Sequence, residues 1–224
     1  MNPFDFSGKH VFVSGGTSGI NLGIAHAFAK AGARLTVISR SQDKVDAAVA
    51  ELKQRGGDAA GHATDVRDYA KTEEALKAAH ARFGDIDVLI SGAAGNFPAP
   101  ALGISANGFK SVVDIDLLGS FHVIRAAFPM LKKPGASVIS ISAPQAYSPM
   151  EFQMHVCAAK AGVDMITRVG AIEWGPLGVR INSVVPGPIS DTEGMKRLAP
   201  TAEMERIVTE SVPLGTFGTK QNIA

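Results

Sequence analysis

Lys160 and Asp164 stand four residues apart in the run QMHVCAAKAGVD, so a helix there brings an ammonium and a carboxylate onto one face. Two readings stay open, a plain helix salt bridge and a pair that orients a water or a proton. Near the other end, SGGTSGINLG (14–23) offers Gly15, Thr17, Ser18, Gly19 and Ile20 between an apolar run and a helical pattern. Glycine lets a backbone approach a pyrophosphate closely, and a helix N-terminus favours its negative charge. The same stretch also fits an ordinary glycine-rich turn, and Asn21 stands where dinucleotide spacing usually has a third glycine. The second apolar run ends Ile38-Ser39-Arg40. An acidic residue at that point would bind a ribose 2′-hydroxyl and select NAD, whereas a serine followed by a guanidinium suits a 2′-phosphate. The expected cofactor is therefore NADPH, the alternative being that Arg40 is a solvated strand end.

Those residues need elements to position them. HVFVSG (10–15), ARLTVISR (33–40), DAAGHATDV (58–66), IDVLISGAAG (86–95), ASVISISA (136–143) and VRINSVVPG (179–187) read as strands. Helical patterns lie between them, including one long helix over 106–133 and another over 156–174. Strands separated by helical crossovers predict an α/β fold, a doubly wound parallel sheet with helices on both faces and right-handed connections. With no linker or repeat, one domain over residues 1–224 is expected. The longest irregular stretches are the 13 residues from Pro144 to Val156 and the segment after Pro186, and both should border the ligand at the strands' carboxyl ends. Composition narrows the class. Lys plus Arg is 22 against 21 Asp plus Glu, so no basic surplus points to nucleic acid. No apolar run suits a bilayer span or a signal peptide. The single cysteine, Cys157, excludes an internal disulfide and fits a reducing, cytoplasmic setting. The six histidines show no metal spacing.

Taken in order, these pieces resemble the short-chain dehydrogenase/reductase family along the whole chain. The shared pieces are the glycine-rich turn, Asp65-Val66 after strand three, the small-residue loop after strand four, Lys160 in its helix, and Pro186-Gly187. The resemblance implies a Rossmann-like fold and a homo-oligomer, dimer or tetramer. It also implies roles: Asp65 and Val66 at the adenine, Ser91–Ala94 (with Ala93) behind the ribose, Lys160 on the nicotinamide ribose, and Ile189 near the carboxamide. The family's catalytic set is Asn, Ser, Tyr and Lys. Aligned on Lys160, those positions hold Asp116, Ala143 and Val156, so of the set only the lysine is present. A ketone reductase would be crippled, because hydride addition to a carbonyl leaves an alkoxide that must be protonated in place.

AAGNF (93–97), VDID (113–116), AAKAGVD, IEWGP (172–176) and PGPISDTEG (186–194) are similar to the branch of peroxisomal-type 2,4-dienoyl-CoA reductases, which also lacks the tyrosine. That resemblance implies NADPH-dependent reduction of a 2,4-dienoyl-CoA to a 3-enoyl-CoA. Hydride then goes to C5, charge spreads to the thioester oxygen, and the proton is needed at C2, so the donor can sit elsewhere. On this reading Lys160, Asp116 and Asp164 form the catalytic group, with Asp116 facing the pocket as its family counterpart does. Tyr147, in the loop after strand five, is the rival acid or a pocket wall, and Ser142 is structural. For the acyl-CoA the resemblance carries over Arg67, Phe97, Ser105, Asn107 and Arg197, Asn107 being equally suited to a helix N-cap. His155 would reach the pocket rim. Family members usually continue through a further helix and strand, so the chain is expected to lack these. Two other readings stay open: a reductase of another keto or acyl substrate using Tyr147, and an NADP-binding protein without catalysis.

Overall fold

The computed structural model describes residues 4–224. Six parallel strands, β1 (His10–Ser14), β2 (Arg34–Ser39), β3 (Asp58–Ala63), β4 (Val88–Ser91), β5 (Ser137–Ile141) and β6 (Arg180–Val184), form one sheet in the order β3-β2-β1-β4-β5-β6. β1 is buried at all five positions, which is why its sequence is an unbroken run rather than an alternation. Its register brings Ser14 level with Ile38 of β2 and Ser91 of β4. The strand order reverses between β1 and β4, so the loops leaving their carboxyl ends diverge and open a crevice.

Helices cover both faces. α1 (Gly19–Lys30) and α2 (Gln42–Gln54) place Ile24, Ala25, Ala29, Ala48 and Leu52 against Val11, Val13, Leu35 and Val37. On the other face, α3 (Tyr69–Phe83) and α5 (Gly119–Ala127) pack Leu76, Ala79, Val123 and Ala127 against Phe12, Ile38, Leu89 and Val138. α6 (Met154–Trp174) adds Ile166, Ala171 and Trp174 to that layer. Each large side chain so buried contributes about 1.5–3 kcal/mol, and truncating one to alanine costs about 2–5 kcal/mol.

Three sequence expectations need correction. The stretch 106–133 is not one helix. It is α4 (Ala106–Val112), a π-helical stretch Val113–Leu118, then α5 and a 3₁₀ turn Phe128–Met130. The wider turn inserts no breaker residue into the pattern, so the periodicity alone cannot reveal it. α6 begins at Met154 rather than Val156, and the loop before it holds a 3₁₀ turn, Pro144–Ala146. The segment after Pro186 is not irregular: it contains α7 (Glu193–Leu198), α8 (Ala202–Ser211) and α9 (Lys220–Ile223). Thr192 and Thr201 cap the first two by accepting from the Met195 and Met204 N–H groups, and Thr219 with Asn222 forms a capping box on the third.

Candidate active site

A cleft of about 990 Å³ opens at the carboxyl ends of the strands. Gly15, Thr17, Ser18, Gly19 and Ile20 line one end of it, as do Arg40, Asp65, Val66 and Ala93. Gly15 has φ +71° and its backbone lies so close to the β4 loop that a Cβ there would stand 2.9 Å from Ala93 Cα. The missing third glycine also finds a reason. Asn21 Nδ2 donates to Gly92 O at 2.7 Å, and a Cβ on Gly92 would sit 2.3 Å from Asn21 Oδ1. The Asn21 side chain thus fills the space that a side chain at position 92 would need. Ser18, at the N-cap of α1, makes no capping hydrogen bond from its side chain, and the first turn carries no acid. Ser39 Oγ is buried without a partner beside the exposed Arg40. An open helix N-terminus, an unpaired hydroxyl and a guanidinium are a donor set suited to pyrophosphate and a 2′-phosphate.

At the floor lies a buried ion pair. Lys160 Nζ is 3.3 Å from Asp116 Oδ2, with the two side chains 8% and 1% exposed. Asp116 Oδ1 accepts the Gly95 N–H at 2.7 Å, and Lys160 Nζ also donates to Ile141 O at 3.1 Å. The π-helical stretch turns Asp116 inward beneath the Gly95 loop. Burial pushes the Asp116 carboxyl above the ordinary carboxylate range, against the opposing pull of the Lys160 charge and the Gly95 N–H. Val156 is 3% exposed and packs with Val112 and Ala159, so the wall beside the pair is apolar. Ser142, Gln145 and Gln153 line the same cleft. Ser142 Oγ and both polar atoms of Gln153 are buried without partners, and so are both ring nitrogens of His155. A buried unpaired polar group costs about 1–3 kcal/mol, so this grouping calls for a function. Sequence reasoning assigned nothing to Gln153; its only signal is burial.

Other residues fall differently. Asp164 does not join the pair: Ser183 Oγ donates to its Oδ1 at 2.9 Å, while Lys160 is drawn the other way by Ile141 O and Asp116. Spacing of four puts two residues on neighbouring positions, but tertiary acceptors decide where a lysine points. Tyr147 is 69% exposed and outside the cleft lining, so it is not a pocket wall. His155 is fully buried rather than at the rim, its ring 4.5 Å from that of Phe97. Arg67 is engaged by Asp65, its Nε donating to both carboxylate oxygens at 3.0 Å. That guanidinium holds the Asp65 carboxyl below its usual range. Ser105, not Asn107, caps α4, accepting from the Gly108 N–H at 3.0 Å, and Asn107 is exposed in the first turn. Arg197 crosses the cleft from α7 and donates to Asn96 O at 2.9 Å. Pro186, Gly187 and Ile189 line the far end, where Ser190 N–H donates to Gly218 O at 2.9 Å and fastens the C-terminal segment over the cleft.

Comparison with known proteins places this geometry. The family described as short chain dehydrogenase matches residues 9–203. The peroxisomal 2,4-dienoyl-CoA reductase of Saccharomyces cerevisiae, which produces (3E)-enoyl-CoA, is 40% identical over 223 residues, covering 98% of this chain and 76% of that protein. The enzyme of the same name from Arabidopsis thaliana is 40% identical over 227 residues, covering 97% and 76%. A crystal structure of a short chain dehydrogenase from Bacillus anthracis superimposes with a TM-score of 0.89 at 36% identity, covering 98% of this chain and 87% of that one.

Proposed function

The chain belongs to the short-chain dehydrogenase family, and from that premise we propose that it reduces 2,4-dienoyl-CoA thioesters to 3-enoyl-CoA with NADPH, as one reductase domain. The observation that carries the reading is the buried Asp116–Lys160 pair facing a wall where Val156 and Ala143 replace hydroxyls. A carbonyl reductase needs an acid that reaches the new alkoxide. Conjugate reduction does not, because its charge ends on a thioester oxygen and its proton goes to carbon. The two dienoyl-CoA reductases at 40% identity support the same substrate class.

Bound NADPH supplies the hydride. In this reading Arg40 and Ser39 hold its 2′-phosphate, the Gly15–Ile20 turn its pyrophosphate, and Asp65 and Val66 its adenine. Lys160 holds the nicotinamide ribose and keeps positive charge near the developing enolate, which a water-excluding floor strengthens. Asp116 fixes the ammonium in place through Oδ2, and its raised pKa suits it to pass a proton toward C2. Arg197, clasped to Asn96 O, closes the acyl side. Of the described residues, no helix is long and apolar enough to cross a membrane. The proposal extends to a homo-oligomer in a reducing compartment such as the cytoplasm, which the free Cys157 suits.

The test is NADPH consumption with 2,4-hexadienoyl-CoA beside acetoacetyl-CoA, a ketone of similar size. Turnover of the diene alone, lost in Lys160→Ala, is expected. Turnover of the ketone alone would overturn the reading.

A further inference from the structure

We propose that the carboxamide of Gln153 donates a hydrogen bond to the thioester oxygen of the acyl substrate, with the Ser142 hydroxyl as second donor. This makes Gln153 the group that replaces the absent tyrosine. The inference deepens the dienoyl-CoA reading and rests on it for the identity of the substrate.

Gln153 is 1% exposed, its Nε2 and Oε1 both lack partners, and its side chain lines the cleft. It stands at the N-cap of α6, three residues before Val156, and both residues line the cleft. Ser142 stands immediately before Ala143 at the end of β5, is 4% exposed, and its Oγ is likewise unpaired. Both apolar replacements thus have a buried, unpaired polar neighbour among the residues that line the same cleft. The backbone is arranged to present this side chain. Phe152 adopts φ +62°, a left-handed conformation uncommon outside glycine, and its carbonyl is fixed by the Ala99 N–H at 2.9 Å. Strained residues of this kind persist where the surroundings over-determine them, often at ligand clamps.

A carboxamide differs from a tyrosine in one decisive respect. It donates a hydrogen bond but cannot give up its proton near neutral pH. Hydride adds at C5, the C4–C5 π pair moves to C3–C4, and the C2–C3 pair moves to C1–C2 while the carbonyl pair goes onto oxygen. Gln153 and Ser142 would hold that oxygen as an anion. When its pair returns to re-form C=O, C2 takes one proton, and NADPH plus H⁺ plus dienoyl-CoA gives NADP⁺ plus 3-enoyl-CoA. A ketone in the same pocket would be left as an unprotonated alkoxide, so the donor also sets specificity.

The test separates the oxygen contact from turnover. Binding of 2,4-hexadienoyl-CoA and of its thioether, with CH₂ in place of C=O, is measured by calorimetry on the protein–NADP⁺ complex. The wild type should prefer the thioester about tenfold, one neutral hydrogen bond. Gln153→Met should reduce that preference to within about twofold and lower kcat at least tenfold with little change in KM. Gln153→Glu, an acceptor at the same length, should reverse the preference. NADP⁺ affinity and melting temperature report whether each variant is folded. An undiminished preference in folded Gln153→Met overturns the inference. If the wild type prefers the thioester through Gln153 yet consumes no NADPH with it, the oxygen contact stands and the dienoyl reductase reading falls.

Discussion

Replacing Lys160 with methionine should make the stability of this protein fall further with rising pH than that of the wild type. Methionine keeps most of the stem and removes the ammonium, so the packing change is small. Asp116 is left 1% exposed, with the Gly95 N–H on Oδ1 and no cation 3.3 Å from Oδ2. Burial is the largest influence raising this carboxyl, and the Lys160 charge is the largest opposing it. Without Lys160 the carboxyl moves further above 3.8, its ordinary value in the unfolded chain. A carboxyl raised on folding stabilises fully below its unfolded pKa, and that contribution is lost as pH rises through the folded pKa. Both proteins lose stability in this way, but the variant goes on losing it to higher pH. As pH falls and the buried carboxyl takes up its proton, the gap between the two should narrow. At pH 8 the gap should approach about 3 kcal/mol, the low end for removing one partner of a buried pair, because the Gly95 donor remains. Urea unfolding at pH 4, 6 and 8, followed by fluorescence of Trp174, the single tryptophan, and by circular dichroism, gives the numbers. A gap that is the same at all three values would refute the buried-pair argument.

Arg40→Ala should weaken NADPH binding about 10- to 100-fold, the worth of a charge-assisted contact, while NADH binding changes less than about threefold; fluorescence titration with both cofactors decides. Gly92→Ala should cost about 1–3 kcal/mol, because its Cβ meets Asn21 Oδ1 at 2.3 Å. Adding Asn21→Ala should return more than half of that loss, and strict additivity in urea unfolding would contradict the packing of Asn21 on Gly92. Tyr147→Phe and Asp164→Ala should each leave kcat/KM within about twofold. The second should cost about 1 kcal/mol of stability through the lost Ser183 bond, a loss measured by thermal unfolding.

The strands were legible because parallel strands buried on both faces leave long β-branched runs between helices, as in HVFVS and VLIS. The glycine-rich end of the cleft was legible because it depends on local backbone chemistry: a glycine with positive φ, an open helix start, a strand end carrying Arg40. The helix over 106–133 was not, since a π-helical turn at Val113–Leu118 leaves no mark in apolar periodicity. It is that turn, however, that sends Asp116 under Gly95. Asp164 was misplaced because helix spacing gives neighbours on one element, while Ser183, from β6, made the claim on its carboxylate. The helices after Pro186 are short and their signal is the threonine before each of them, easily read as loop. Gln153 could not be found from sequence at all, because its meaning lies in being buried and unpaired.

The central claim, conjugate reduction with protonation on carbon, is tested most directly by where the hydrogens go. The protein is given 2,4-hexadienoyl-CoA and NADPH carrying deuterium at the transferable C4 position, and the product is read by mass spectrometry and NMR. The account predicts 3-hexenoyl-CoA with one deuterium at C5 and a solvent hydrogen at C2. Deuterium at any other carbon, or no product while NADPH binds, would contradict it.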